Sequence, residues 1–463
     1  MHKTICLFAL LGALISPSDA TDRNTPYNKK AFEIYKIAVE IPTVEGRGQV
    51  LKLADYLASE LLKAGFPKKD IHVLKVGETA ALVARYRGDG RSHKQPISIS
   101  AHMDVVEALA KDWERDPFTL MEENGYFFGR GTSDDKAGMT AVVANFIRLR
   151  KEGWIPSRDL IIAFSGDEET SMASTKALVG KYRQLIDSEF VLNADVGGGH
   201  IGEDGSTPPS FGMQAAEKTY TDLELTVTNP GGHSSRPRKD NAIYELAAAL
   251  VKIQQFQFPV QASALTRAFF KGTGSKVKGD LGKAMLKFAD NPKDKWAIKI
   301  LRANPNTIGT IGTTCITTML RGGHAPNALP QSATANVNCR IFPGTAVENV
   351  IQTLREVVAN KNVEFDIVSE PTPTDASPLR DDVLAALRKA VDTRYPGLEI
   401  IPSMSSGGTD GMHFRAAGIP SYGVNGVFSK GDSFAHGLNE RMPVDSFYSN
   451  LEHWYVLLKE IAK

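Results

Sequence analysis

Side chains that could bind metal ions are spread over five short segments of the chain. The segments are residues 102–104, 134–135, 167–169, 193–195 and 436–437. Together they offer two histidines and several carboxylates, which can hold a pair of divalent cations if one carboxylate bridges the two ions. Glu168 is then left over as a base. The set predicts a hydrolase that works with two metal ions.

The first segment ends an apolar run with a period of two. In residues 97–104 that period puts His102 and Asp104 on the same side of a predicted strand. Asp104 can then accept the proton of the imidazole nitrogen that does not touch metal, which fixes the tautomer of the ring. On its own, however, a histidine and an aspartate at this spacing are common, and a structural histidine explains them better.

Asp134 and Asp135 precede a predicted helix that opens at Lys136. Aspartate is common at a helix N-cap, so either residue could serve as a cap alone. We assign capping to Asp135 and metal bridging to Asp134.

Glu168 and Glu169 follow an apolar strand, and a solvated turn would explain the pair as well. Adjacent carboxylates repel each other unless a cation or a shared proton offsets the repulsion. Neighbouring residues of an extended chain point in opposite directions, so one glutamate can bind metal while the other reaches a water molecule. Asp195 also follows an apolar run, and His436 lies next to a glycine. It is the joint occurrence of these segments that favours a metal site.

Hydrophobic periodicity predicts alternating helices and strands in the first half of the chain. Predicted helices cover 50–62, 136–152 and 171–186, and predicted strands cover 71–76, 81–86, 97–102, 160–165 and 190–195. Strands separated by helices indicate a mostly parallel sheet with helices on both faces, whose ligands collect at the carboxyl ends of the strands. The candidate metal ligands lie at those ends.

The pattern changes after Met213 to that of a smaller α/β sandwich. Strands are predicted at 220–227, 307–319, 331–342 and 363–368, and helices at 241–254, 262–304 and 346–359. The order is β-α-β-β-α-β with a Lys-rich insertion. We therefore predict an α/β fold in which a lid domain, 215–371, is inserted into a catalytic domain formed by 21–214 and 372–463. The polar segment 370–374 is the predicted return hinge.

Residues 1–20 have the pattern of a secretory signal peptide. A basic start at His2 and Lys3 precedes an apolar run over 5–15 and a small-residue exit at Ala20. The run of about 11 residues is shorter than the roughly 20 that a bilayer needs. We expect cleavage after Ala20, a periplasmic or secreted product and no membrane span.

Charge and cysteine content narrow the choice of partners. The chain carries 54 basic and 53 acidic residues, a net charge of +1, and it has no basic run, which argues against binding to nucleic acid or to an anionic membrane surface. Cys315 and Cys339 remain once the predicted leader is removed. An oxidising compartment would allow a disulfide between them, but we favour two buried thiols.

Motifs spread over nearly the whole chain carry a resemblance to a known family. They are AHMDVV at 101–106, Trp113 with DPF at 116–118, GRGTSDDK at 129–136, DEE at 167–169, GGHSS at 231–235, GGTD at 407–410 and HGLNE at 436–440. In this order they resemble the dinuclear zinc family of carboxypeptidase G, carboxypeptidase S, aminoacylase, succinyl-diaminopimelate desuccinylase and the carnosinase-type dipeptidases.

The resemblance implies a division of the ligands between two zinc ions, for which cobalt or manganese could substitute. His102 and Asp195 would hold one ion, Glu169 and His436 would hold the other, and Asp134 would bridge them.

The resemblance also implies catalytic roles. Glu168 would be the general base, and Asp104 would orient His102. His233 would stabilise the tetrahedral oxyanion, and in dimeric relatives that histidine comes from the partner subunit. The peptide bond between residues 134 and 135 is expected to be cis, as it is in relatives.

Five further residues resemble the family's contacts to a substrate carboxylate. Arg340 resembles the lid arginine that pairs with the carboxylate in a fork geometry. Asn327 and the backbone of Gly407, Gly408 and Thr409 resemble additional contacts to the same end of the substrate.

The predicted function is that of a zinc exopeptidase that cleaves an amide bond next to a free carboxylate when the lid closes. Aspartate at position 195 favours dipeptides over other substrates, because dipeptidase members of the family usually have aspartate there. The alternative is an N-acyl amino acid deacylase with the same catalytic residues and a different pocket. A phosphoesterase is disfavoured because no glycine loop for phosphate is present, and a non-catalytic binding protein because Glu168 is retained.

The insertion over 262–304 is longer and more basic than the smallest lids of the family. It could cover a dimer edge, shape the pocket or replace dimerisation. We therefore expect a homodimer that forms through the lid. The alternative is that the insertion replaces dimerisation.

Overall fold

The computed structural model describes residues 22–201 and 208–463. The predicted signal peptide lies outside the described residues. Within those two ranges, no helix combines the length and the hydropathy needed to cross a bilayer.

The described residues form strands and helices along the whole length. The strands are β1 (Ile71–Val76), β2 (Thr79–Tyr86), β3 (Ile97–His102), β4 (Met121–Glu123), β5 (Tyr126–Phe128), β6 (Leu160–Ser165), β7 (Phe190–Asn193), β8 (Gly199–His200), β9 (Phe211–Glu217), β10 (Thr219–Thr228), β11 (Gly232–His233), β12 (Thr314–Gly322), β13 (Ala328–Leu329), β14 (Ser332–Ile341), β15 (Val363–Ile367), β16 (Ile400–Ser405), β17 (Ser421–Gly423), β18 (Phe428–Ser429) and β19 (Arg441–Pro443). The helices are α1 (Pro26–Glu40), α2 (Val50–Lys63), α3 (Lys136–Lys151), α4 (Ala173–Val179), α5 (Arg183–Ile186), α6 (Ala242–Gln255), α7 (Ala264–Gly274), α8 (Gly279–Asp290), α9 (Lys295–Ala303), α10 (Pro305–Ile308), α11 (Val347–Val358), α12 (Asp381–Asp392), α13 (Gly411–Ala416) and α14 (Val444–Ile461).

The main sheet has eight strands in the order β1-β2-β6-β3-β7-β17-β9-β16. Its centre is parallel, because β3 pairs in parallel with both β6 and β7, and β7 pairs in parallel with β17. Helices cover both faces, so alternate residues of one strand enter different cores. In β6, for example, Ile162 packs with Phe146 of α3, whereas Ile161 belongs to a second core with Phe414 of α13.

The parallel centre of the sheet brings three candidate segments together. β3 ends at His102, β6 ends three residues before Glu168, and β7 ends two residues before Asp195. Because these strands are neighbours and run in the same direction, their carboxyl ends meet at one edge of the sheet.

A second, antiparallel sheet of four strands has the order β12-β14-β10-β15. The helices α6 and α11 pack on it around a separate core that includes Leu225, Leu246, Val337 and Leu354. The predicted fold class, a mostly parallel sheet flanked by helices with a smaller α/β lid, is confirmed. The residue boundaries assigned to the domains stay a prediction.

The insertion folds into α7, α8 and α9 with its own core around Phe270 and Phe288. It lies against β16, the edge strand of the main sheet. A side chain at Gly272 of α7 would meet Ile401 of β16 at 2.9 Å, and Lys276 forms an ion pair with Glu399. Of the three roles considered for the insertion, these contacts favour shaping a pocket.

Two sequence predictions about local structure are wrong. The predicted helix over 171–186 is broken, because α4 ends at Val179, Gly180 follows as its C-cap, and α5 starts only at Arg183. The predicted strand over 307–319 begins only at Thr314, because α10 and a 3-10 turn occupy the start of that range.

The two cysteines form a disulfide, so the prediction of two free thiols is also wrong. Cys315 of β12 lies directly opposite Cys339 of β14 in the antiparallel register, with 4.1 Å between their Cα atoms. The pairing of the two strands brings the sulfur atoms together, and the sequence alone did not show that register.

Candidate metal centre

Asp134 lies between the two histidines of the predicted site. Its Oδ1 is 2.9 Å from Nε2 of His102, and its Oδ2 is 3.2 Å from Nε2 of His436. The two oxygens of one carboxylate therefore face two different imidazoles, which is the arrangement expected of a ligand that bridges two ions.

The remaining predicted ligands lie on either side of this bridge. Nε2 of His436 is 2.9 Å from Oε1 of Glu169, and Nε2 of His102 is 3.9 Å from Oδ1 of Asp195. Ligand atoms of His102, Asp134 and Asp195 lie within 4.8 Å of one another, as do those of Asp134, Glu169 and His436. The two groups share Asp134. Imidazole and carboxylate donors of this kind fit zinc.

Asp104 makes contacts on the far side of His102. Nδ1 of the imidazole is 3.4 Å from Oδ1 of Asp104 and 3.1 Å from its backbone carbonyl. The carboxylate also accepts the backbone N–H groups of Glu168 and Glu169 at 3.1 and 3.0 Å. Asp104 thus contacts the imidazole through both its carbonyl and its carboxylate, and it fixes the turn that carries both glutamates. Its role in orienting His102 stays a prediction.

Glu168 is buried and belongs to a group of potential ligands with His102 and Glu169. Burial raises the pKa of its carboxyl well above the usual value, and the negative charges of Asp195 and Asp410 add to the shift. A carboxyl with this tendency to hold a proton is suited to general base and acid chemistry.

The other acids of the site respond to the same crowding. Burial raises the pKa of Asp195 to about 8, and repulsion from Asp134 contributes. Burial opposes the charge of Asp134 as well, but hydrogen bonds from His102 and His436 hold its pKa well below the usual value. Hydrogen bonds to Asp134 and Glu169 raise the pKa of His436 to about 10. The cluster concentrates negative charge that cations would compensate.

Asp135 occupies the N-cap position of α3, but its side chain makes no capping hydrogen bond. Both carboxylate oxygens are buried without a hydrogen-bond partner, and burial raises the pKa of the group well above its usual value. The prediction that Asp135 caps the helix is wrong, because its side chain is turned into the interior beside Gly138 and Ala194. The peptide bond between Asp134 and Asp135 is cis, as expected.

Glu440 is a residue whose role the sequence did not reveal, although it belongs to the last motif. Its carboxylate is fully buried and accepts the backbone N–H groups of Gly131, Ser133 and Asp134 at 2.9, 2.8 and 3.0 Å. It also pairs with Arg130 at 2.8 Å. Glu440 therefore positions the loop that carries Asp134, the candidate bridging residue.

The loop from Ser406 to Thr409 lies where substrate contacts were predicted. Gly407 and Gly408 are exposed, whereas Thr409 is buried and donates its hydroxyl to Glu217. Only the backbone of Thr409 is therefore available to a ligand. Arg340 of β14 reaches this loop, because its guanidinium donates to the carbonyl of Ser406 at 2.7 Å.

His233 and Asn327 lie together but away from the metal ligands. His233 is exposed on β11, and its Nδ1 accepts the backbone N–H of Ser235 at 3.2 Å. Ser234 donates its N–H to the carbonyl of Asn327, and Asn327 is also exposed. No contact recorded among the described residues joins either side chain to the metal cluster of the same chain.

A cavity of about 630 Å³, which we call the Asp195 cavity, opens beside Asp195. Val196, Ile401 and Val427 supply apolar wall, and α7 of the insertion contributes Phe269. Serine hydroxyls and the amides of Gln214 and Asn425 make up much of the rest. In the described part of the lining, Asp195 is the sole aspartate or glutamate.

A family model described as Peptidase family M20/M25/M40 matches residues 98–460. The chain belongs to this peptidase family. The predicted resemblance is confirmed, and the protein is a metallohydrolase. Human N-fatty-acyl-amino acid synthase/hydrolase PM20D1 is 29% identical over 381 residues, which cover 79% of this chain and 74% of the relative.

Two further proteins illustrate the range of the family. The probable carboxypeptidase S-like 2 of Dictyostelium discoideum is 27% identical over 427 residues, which cover 87% of this chain and 79% of the relative. The structure of the M20 family metallo-carboxypeptidase Sso-CP2 from Sulfolobus solfataricus has a TM-score of 0.70 at 19% identity, and the match covers 94% of this chain and 99% of the other. This last similarity shows the shared fold.

Proposed function

We propose that this protein hydrolyses the amide bond of N-acyl amino acids at a centre of two zinc ions. The observation that carries the proposal is the lining of the Asp195 cavity, whose described part has apolar, hydroxyl and amide groups, the imidazole of His200 and no second carboxylate to meet a cationic α-amine. An uncharged acyl group suits such a lining better than the ammonium group of a dipeptide. The human relative is named as an N-fatty-acyl-amino acid synthase/hydrolase, which supports the same substrate class.

His102 and Asp195 would hold one ion and Glu169 and His436 the other, with Asp134 shared between them. When bound, the ions polarise the scissile carbonyl and lower the pKa of the attacking water. Cobalt or manganese would be substitutes with the same donor set.

The chain's own residues supply the proton transfers and the positioning. Glu168 takes a proton from the attacking water and returns it to the leaving nitrogen, and its raised pKa suits both steps. Asp104 holds His102 in one tautomer. Arg340 and the backbone at Gly407 and Gly408 bind the free carboxylate, which places the amide bond at the metal centre.

Dipeptides are the second candidate class, and the sequence alone ranked them first. Their carboxylate would use the same arginine as an N-acyl amino acid does. Asp195, which lines the cavity, favours this class, because a carboxylate there could face the α-ammonium. We rank N-acyl amino acids first because the described lining offers no second carboxylate.

We also infer that the protein is a homodimer through the lid. Strand β12 is an edge strand, and it exposes Ile316, Met319 and Leu320, while the neighbouring α6 exposes Tyr244. An exposed apolar edge of this kind is typical of an interface.

Twofold pairing of β12 with its copy would be antiparallel and would bring opposite strand ends together. One end of β12 adjoins Arg340, whereas the other end lies on the side of the lid that carries His233. The dimer would therefore supply His233 to the active site of the partner subunit, where it could stabilise the oxyanion.

Export to the periplasm or the medium is proposed on two grounds. Residues 1–20 have the pattern of a signal peptide, and Cys315 and Cys339 are paired, which fits an oxidising compartment.

The test of the proposed activity is a substrate panel assayed with the zinc-loaded protein and with Glu168→Gln. N-acyl amino acids should be hydrolysed faster than dipeptides with the same C-terminal residue. The variant should keep its zinc but lose activity by a factor of about 10² to 10⁴. Glu122→Gln, at an exposed glutamate, is the control. Faster hydrolysis of dipeptides would favour the second class, and a fully active Glu168→Gln would refute the assigned base.

A further inference from the structure

A second large cavity lies in the lid, on the other side of the loop that Arg340 contacts. It has a volume of about 790 Å³, within the range of about 300 to 1,000 Å³ typical of ligand pockets. We call it the lid chamber. Its apolar wall consists mainly of Leu250, Phe256, Phe258, Ile308, Ile311 and Leu354.

The lid chamber is lined by cations without matching anions. Lys218, Arg302 and Arg340 line it, and its described lining contains no aspartate or glutamate. Lys218 is buried, and its ammonium donates to the carbonyls of Gly309 and Gly312 rather than to a carboxylate. Burial of a cation that lacks an anionic partner is unfavourable, so a negatively charged ligand would stabilise this site.

The acid nearest to Arg340 along the sheet does not provide that anion. Arg340 lies over the ring of Tyr220, with 4.5 Å between the guanidinium carbon and the ring centroid. Beyond the ring, Asp222 accepts hydrogen bonds from the hydroxyl of Tyr220 and from the amides of Asn336 and Asn338. The carboxylate of Asp222 is therefore already held by three hydrogen bonds and does not pair with Arg340.

The position of the lid chamber relative to the metal centre decides which part of a substrate could enter it. Arg340 bonds to Ser406, which lines the chamber, whereas the adjacent Ser405 lines the Asp195 cavity. The two cavities thus flank one loop. The carbon atom next to a carboxylate held by Arg340 carries two further groups, the amide nitrogen and the side chain of the amino acid. Because the amide must reach the metal centre, the side chain is the group that can turn toward the chamber.

We propose that the lid chamber binds the side chain of the substrate's amino acid and selects large apolar residues, with Lys218 as a second cation for the α-carboxylate beside Arg340. This inference rests on the proposed hydrolysis of a substrate with a free carboxylate. The ligand chemistry is a carboxylate attached to an apolar body, and the leaving amino acid provides it.

Gly309 offers a substitution that fills the mouth of the chamber. A Cβ at this residue would make ordinary contacts only, at 3.6 Å to Nζ of Lys218 and 3.7 Å to Oγ of Ser406. Its backbone has φ −67° and ψ −24°, which any residue adopts. Gly309→Leu should therefore fold and occupy the chamber. The control is Asn349→Leu, which adds a similar side chain on the exposed side of α11.

The first measurement is kcat/KM of the zinc-loaded protein for N-acetyl derivatives of phenylalanine, leucine and glycine. The wild type should prefer the phenylalanine and leucine substrates over the glycine substrate by about 10-fold or more. Gly309→Leu should lower kcat/KM for the phenylalanine and leucine substrates by at least about 10-fold more than for the glycine substrate, and so remove that preference. Asn349→Leu should behave like the wild type. Equal rates for all three substrates in the wild type, or an equal loss for all three in Gly309→Leu, would overturn the inference.

The second measurement is calorimetric binding of 3-phenylpropanoate, decanoate and acetate to the same proteins. It requires no turnover, so it tests the lid chamber even if the proposed hydrolysis fails. Binding of 3-phenylpropanoate that exceeds acetate binding by about 10-fold and is lost in Gly309→Leu supports the inference. Binding of decanoate alone would overturn it, because the chamber would then be a site for fatty carboxylates. Failure of the proposed function, by contrast, would appear as no turnover of any N-acyl amino acid.

Discussion

Glu440 accepts the backbone N–H of Asp134 at 3.0 Å, although 306 positions separate the two residues in the chain. The backbone of Asp134, the candidate bridging residue, is therefore held by the segment that also carries His436. The loop of Asp134 thus takes its conformation from contacts with the last part of the chain.

Glu440→Gln tests this relationship. The variant leaves Arg130 buried without its anionic partner, so the free energy of unfolding should fall by about 3 to 5 kcal/mol. The loop of Asp134 should also loosen, and the zinc content should fall below two ions per chain. Denaturant unfolding and elemental analysis measure the two effects. Glu122→Gln, which breaks an exposed ion pair with Arg23, should cost less than about 1 kcal/mol. Unchanged stability and full zinc content in Glu440→Gln would show that Asp134 is held by other contacts.

The residues at the ends of the parallel strands were predictable from the sequence. His102, Glu168 and Asp195 each follow an apolar run, and parallel strands that are neighbours bring such positions together whatever the details of packing. Long-range positioning was not predictable in the same way. Glu440 can hold Asp134 only because two loops that are distant in the chain lie side by side in the fold. No local sequence pattern indicates that contact.

The prediction of strand over 307–319 shows how local signals can compete. Pro305 at the first turn and Asn304, whose side chain accepts the N–H of Asn306, start α10. The β-branched residues that follow favour a strand, and the prediction gave them more weight than these two helix signals. In Asp135 the error was of another kind, because an aspartate before a helix is normally a cap, and here its environment is the crowded interior of the metal site.

His453 gives the protein a defined response to acid. The imidazole is buried, stacks on Phe211, and lies against Gly426, and burial lowers its pKa to about 4. Because the unfolded chain takes up the proton near pH 6.5, stability is full above that pH and falls as the pH drops toward 4. His453 should account for a loss of about 1 kcal/mol between pH 7.5 and 5.5. Urea unfolding at both pH values should show a smaller loss for His453→Gln.

The control for this experiment is His324→Gln, at an exposed residue of the lid, which should keep the wild-type pH dependence. An identical pH dependence for His453→Gln and wild type would mean that the imidazole is charged in the folded protein.

The disulfide between Cys315 and Cys339 should stabilise the lid. The bond closes a loop with a sequence separation of 24, for which chain entropy predicts about 3 kcal/mol. Cys315→Ser should therefore unfold at lower denaturant concentration than oxidised wild type and should match the reduced wild type. Labelling with a thiol reagent under denaturing conditions counts the free cysteines. Two reactive thiols in the protein purified from an oxidising compartment would reinstate the original prediction of unpaired cysteines.

The apolar edge of the lid can be tested by adding charge. Leu320→Lys in β12 should convert the proposed dimer into a monomer, because a buried lysine at the interface would lack a partner. Activity should fall by a factor of about 10² with the loss of the partner's His233. Sedimentation velocity measures the oligomeric state. The matched control is Ile367→Lys, at an exposed residue of β15 on the opposite edge of the same sheet, which should leave both properties unchanged.

Mixing two inactive variants separates a shared active site from a purely structural dimer. His233→Ala and Glu168→Gln each disable every site of their own homodimers if both residues act as proposed. In a mixed dimer, one site combines the Glu168 of one chain with the His233 of the other. Exchange of subunits between the two variants should therefore restore about a quarter of the wild-type activity. If exchange is complete and activity stays at the level of the separate variants, His233 does not act across the interface. The apolar edge then needs another explanation.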